Sequence, residues 1–97
     1  MVIALVVRGS VTGNRVTGSS GGRTIVAETA HVLHRAELRI SEPGATVTLG
    51  DLSATVTPER VEFPEGASVA IPAPCREIEL RERDGRILVK LDGVAAN

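Results

Sequence analysis

A chain of 97 residues, 42% hydrophobic and 24% charged, has the size and balance of one soluble globular domain, and residues 1–97 are read as a single small domain. Eleven basic and twelve acidic residues leave a net charge of −1, too weak a field to steer nucleic acid or an anionic membrane toward it. Phe63 is the only aromatic residue, so the core must be Val, Ile, Leu and Ala, and the stacking platforms of sugar sites and single-stranded nucleic-acid sites are missing.

Along the chain, Val2 to Val7 is an uninterrupted apolar run, the pattern of a strand buried on both faces. The Gly-rich stretch that follows holds a strand or loose hairpin over Ser10 to Thr17, through Gly13-Asn14. After it comes "TGSSGGR", residues 17–23, which reads as a slack loop. Residues 24–40 fit two patterns. As a helix, Ile25, Thr29, Val32, Leu33, Ala36 and Ile40 form one stripe. As strands, Ala30, Val32, Ala36, Leu38 and Ile40 alternate with His31, Arg35, Glu37 and Arg39, with His34 on the apolar side. The Val- and Thr-rich surroundings favour strands.

The second half is plainer. Short β-type runs at 45–49, 52–57, 60–63 and 67–71 are separated by turn residues. In residues 76–91, Asp84-Gly85 is a preferred two-residue type I′ turn. That turn sets Arg83 against Arg86, Glu82 against Ile87, Leu80 against Val89 and Ile78 against Leu91, with Glu79 meeting Lys90 on the other face. The pattern predicts an all-β fold, a small antiparallel sandwich or barrel ending in this hairpin. Two alternatives stay open. "GRTIVA", "GATVTL" and "GASVAI" recur at a spacing of 22 residues, as in a short β-solenoid, and a helix in 24–40 would make the fold α+β. Pro58, Pro64, Pro72 and Pro74 are read as guards on exposed strand edges.

The residue types that could carry chemistry are few. A phosphate or ligand loop would use Ser19, Ser20, Gly22 and Arg23, but the G-x-x-x-x-G-K-[ST] spacing is absent. His31 and His34 could share a metal with Cys75 only on a helix, since residues three apart on a strand face opposite ways. Cys75, beside Arg76, is a candidate nucleophile, although a lone Cys is more often a small buried hydrophobe. A Ser19, His31 and Asp51 triad lacks a nucleophile elbow. Glu77 and Glu79, and Glu59 and Glu62, read as solvated, salt-bridged faces, not as acid/base pairs.

No catalytic residue, metal or cofactor is therefore assigned. The expected role is non-enzymatic, through self-association or as an interaction module with a protein partner. The alternative is a small-molecule or metal site, or a small enzyme, that uses the His31/His34 segment. Neither nucleic acid nor membrane is an expected partner. The single Cys can form no internal disulfide, and no stretch reaches the roughly 18 apolar residues of a membrane span, so a cytoplasmic location is expected.

Overall fold

The computed structural model describes residues 15–30, 34–41 and 44–97. Among these residues there are ten strands and no helix: β1 (Arg15–Ser20), β2 (Arg23–Thr29), β3 (Ala36–Ser41), β4 (Gly44–Leu49), β5 (Leu52–Val56), β6 (Arg60–Glu62), β7 (Ser68–Ala70), β8 (Glu77–Arg83), β9 (Arg86–Leu91) and β10 (Val94–Ala95). They form two five-stranded sheets, in the orders β1-β2-β8-β9-β10 and β3-β4-β5-β6-β7. The second sheet is an antiparallel meander of consecutive strands. The first is antiparallel except where β2 lies parallel to β8. The described residues thus form a small β-sandwich, and among them there is neither a closed barrel nor a solenoid.

Period-two alternation builds the core. Val16, Ile25, Ala27, Ile78, Leu80 and Val89 of the first sheet and Ala36, Leu38, Val47, Leu49 and Val61 of the second are all buried between the sheets. On the outer face of the first sheet, Arg81 meets Glu28 at 3.1 Å and Glu79 at 3.5 Å, and Arg15 meets Glu28 at 3.7 Å. Such exposed pairs contribute at most about 1 kcal/mol each.

The expected hairpin over 76–91 forms in the expected register, from Arg83 opposite Arg86 to Ile78 opposite Leu91. Asp84 and Gly85 take φ of 53° and 81°, as a type I′ turn requires. The strand reading of 24–40 holds for its described residues, in β2 and β3, and the helix alternative is not adopted there. The solenoid is not formed either. "GATVTL" and "GASVAI" belong to β4 and β7 of the antiparallel meander, while "GRTIVA" runs into β2 of the other sheet. Their likeness reflects strand starts after turns.

Residues 17–23 correct the sequence reading. They are no slack loop: Thr17–Ser20 complete β1, and Gly21 and Gly22, at φ of 61° and 79°, close a two-residue turn onto Arg23. Gly18 sits inside β1 because the sheets approach closely there, and a Cβ would lie 2.8 Å from the Leu38 side chain. Ser20 is buried, and its hydroxyl donates to the Gly44 carbonyl at 2.9 Å. Small residues mark a tight sheet-to-sheet contact here. Of the prolines, Pro58 and Pro64 lie in turns and Pro72 and Pro74 in the β7–β8 connection, so none of these four lies in a strand. The runs Val2–Val7 and 10–14 lie outside the described residues.

Candidate functional site

Arg23 begins β2 with its guanidinium turned toward backbone oxygens. Nε donates to the Cys75 carbonyl at 3.0 Å, Nη1 to Pro58 at 2.7 Å, and Nη2 to Pro72 and Ala73 at 3.4 Å each. The residue that would face the anion in a ligand loop instead clamps the β5–β6 turn and the β7–β8 connection to the first sheet. Of its companions, Ser19 is exposed, Ser20 is buried on Gly44, and Gly22 is in the hairpin turn. No convergent cradle of N–H groups at a helix N-terminus exists among the described residues.

Cys75 is 5% exposed, and its Sγ–H donates to the Glu77 carbonyl at 3.3 Å. It packs within the apolar core. His31 lies outside the described residues. His34 follows β2 and reaches Glu82 of β8, with Nδ1 2.8 Å from Oε1 and 3.0 Å from Oε2. Thr29 donates its hydroxyl to the same carboxylate at 2.5 Å. Thr29 and Glu82 are register partners across the parallel junction, so the strands themselves bring them together. The His34 ring lies against Gly50, where a Cβ would stand 2.6 Å from Nδ1. This cluster pins the chain leaving β2 to the inner face of β8. Among the described residues, no group of three or more His, Cys, Asp and Glu is placed to hold a metal.

The remaining candidates stay apart. Asp51 is exposed in the β4–β5 turn of the second sheet, whereas Ser19 is exposed on β1 of the first. Glu62 is paired with Arg60 at 2.6 Å, and this contact holds the Arg60 guanidinium pKa above its ordinary value. Asp92 is the more informative carboxylate. Its Oδ1 accepts from the Arg76 and Glu77 amides at 3.0 Å each, and these bonds lower its pKa below the usual carboxylate value. It also opens a second Asp-Gly turn, with Asp92 and Gly93 at φ of 53° and 86°.

One feature is left open. The sheets are close at β1 and β3, and a cavity of about 410 Å3 opens between the β4–β5, β6–β7 and β8–β9 turns. Leu52, Phe63 and Ile87 give it an apolar lining, and Asp51, Glu65 and Arg86 supply charge. Its side wall includes Asn97. That side chain accepts from the Val89 amide at 2.8 Å and donates to the Ile87 carbonyl at 3.2 Å, extending the ladder along β9. On the same edge Val94 of β10 is 68% exposed, the most exposed large hydrophobic among the described residues.

Three of these features escaped the sequence reading. The Asp92-Gly93 turn carries the same signal as Asp84-Gly85. The burial of Glu82 follows from parity, since it shares a face with Leu80. The cavity depends on how the sheets splay, and no local pattern encodes that. Compared with protein-family models, curated proteins and solved structures, the chain matches none. No helix among the described residues is long and apolar enough to cross a membrane.

Proposed function

We propose that this β-sandwich is a non-enzymatic association module, one that works by binding protein, a second copy of itself first of all. The observation that carries this reading is the open edge of the sandwich. There the cavity, lined by Leu52, Phe63 and Ile87 together with Asp51, Glu65 and Arg86, lies on the same face of the first sheet as the exposed Val94. Apolar surface left in water at one edge favours contact. The side chains that suggested chemistry support the same reading by their engagement: Arg23 with four carbonyls, Cys75 within the core, His34 with Glu82. The single, buried, unpaired thiol supports a reducing compartment such as the cytoplasm.

The test is molar mass by light scattering over a concentration series, with refractive index for concentration because the chain has no Trp or Tyr. A mass above the single-chain 10.1 kDa that persists on dilution is expected. A single-chain mass throughout overturns self-association.

A second reading, small-molecule binding, is favoured by the size of the same cavity, about 410 Å3, within the roughly 300–1,000 Å3 of ligand pockets. It places the site at Phe63 and not at His34. It predicts that a bound ligand raises Tm in the wild type and not in Phe63→Ala.

A further inference from the structure

The small-molecule reading leaves the ligand unnamed, and on that reading the lining of the cavity specifies its chemistry. The cavity holds about 410 Å3. A benzene ring fits a cavity of about 150 Å3, so there is room for a ring, or a chain of about six carbons, together with a polar head. The floor is apolar. Ile87 is paired with the buried Glu82 and so faces inward, and Leu52 and Phe63 pack against the core from the second sheet. The wall beside Ile87 is fixed by Asn97, whose side chain is bonded to the Ile87 carbonyl and the Val89 amide.

The mouth is acidic. Asp51, in the β4–β5 turn, and Glu65, in the β6–β7 connection, are both exposed and both line the cavity. Glu28, Glu37, Glu62 and Glu79 each meet an arginine at 3.8 Å or less, whereas Asp51 and Glu65 meet none among the described residues. The cation in the lining, Arg86, is opposite Arg83 at the hairpin turn. Alternation gives that pair the outer face of the first sheet, since the neighbouring Glu82–Ile87 pair faces inward. Two unanswered carboxylates therefore stand over a floor that carries Phe63, the only aromatic residue of the chain, and the face of an aromatic ring attracts a cation. We propose that the cavity binds a small organic cation: an apolar body of benzyl or hexyl size on Leu52, Phe63 and Ile87, with a primary ammonium at Asp51 and Glu65. An ammonium has three N–H donors, enough for both carboxylates. A ligand with a carboxylate head meets like charge at the same mouth.

The probes are hexylammonium, 1-hexanol and hexanoate, which share one chain and differ in the head. Each is titrated into the full chain at neutral pH and low salt, and the backbone amide shifts are followed by NMR. Hexylammonium is expected to bind about tenfold more tightly than hexanol, the gain from two exposed ion pairs, and hexanoate more weakly than either. The shifts should centre on Phe63, Ile87 and Asn97. Asp51→Asn combined with Glu65→Gln, both at exposed positions, should remove the tenfold gain and leave hexanol binding unchanged, and added salt should shrink the gain in the wild type. If hexanol or hexanoate binds at the cavity as tightly as hexylammonium, or the double variant keeps the preference, the cation site is wrong while small-molecule binding stands. Hexylammonium shifts spread evenly over Glu37, Glu62 and the other acidic surface positions refute it as well. If none of the three probes shifts the cavity amides, the cation site and the small-molecule reading fall together.

Discussion

Gly50→Ala tests whether the His34 ring rests where the structure places it, and Gly85→Ala is its built-in control. Both glycines are in two-residue turns at positive φ, 64° and 81°, so an added Cβ meets left-handed backbone strain of about 1–2 kcal/mol in each. Both substitutions also stiffen the unfolded chain, and that gain cancels in the comparison. The difference lies in what the Cβ meets. At Gly85 nothing is within 4 Å, whereas at Gly50 the His34 ring lies at 2.6–3.1 Å. Forcing the ring away costs about 1–3 kcal/mol of overpacking and pulls Nδ1 off Glu82. Gly50→Ala is therefore expected to destabilise by about 1–3 kcal/mol more than Gly85→Ala. Urea unfolding followed by far-UV circular dichroism measures this, since the chain has no Trp or Tyr for fluorescence. Adding His34→Ala should erase most of the excess, a non-additivity expected of groups in contact. Equal costs at the two glycines, or strict additivity with His34→Ala, would refute the placement of His34.

Three further outcomes are expected. Gly85→Val should destabilise more than Gly85→Ala, because a β-branched residue resists positive φ more strongly; unchanged stability in urea would contradict the 76–91 register. Arg23→Ala should cost about 1–3 kcal/mol, from charged hydrogen bonds to carbonyls lost at a partly exposed site, and inorganic phosphate should leave the wild-type Tm unchanged; stabilisation by phosphate that Arg23→Ala abolishes would restore the phosphate-site reading. The Asp92 pKa is lower in the folded chain, so its stabilisation is present above the unfolded carboxylate pKa and is lost as pH falls through the folded value. Asp92→Asn keeps a side chain that tolerates the turn but should lose less stability than wild type over that acid window; parallel stability–pH curves would show that the Arg76 and Glu77 amides do not hold the carboxylate.

How much of this was legible depended on range. The hairpin at 76–91 was readable to the residue because Asp-Gly, alternation and opposite charge agree within sixteen residues. The strands of the meander were readable for the same reason: each is bounded by its own turn. "TGSSGGR" misled because small residues carry two meanings. Gly21 and Gly22 are there for the turn, but Gly18 and Ser20 are there for Leu38 and Gly44 in the other sheet, partners that no local window contains. The role of Arg23 was hidden likewise, because its carbonyls belong to residues 35 to 52 positions away. The pairing of β2 with β8 is parallel and distant, and nothing in either strand announces the other.

That one parallel junction also sets the order in which the molecule can assemble. Thr29 and Glu82 are neighbours in space but 53 residues apart in the chain, and the whole meander from β3 to β7 lies between them. Closing so long a loop has an entropic cost that local hairpins avoid. The meander and the β8–β9 hairpin can form from near neighbours, whereas the first sheet stays in two halves until β8 finds β2. During synthesis that docking must wait until residue 83 has left the ribosome. The late, non-local step makes this a slow folder for its size, with refolding in the millisecond-to-second range typical of sandwiches. Substitutions at the β2–β8 seam should then act mainly on the folding rate if that docking is the barrier.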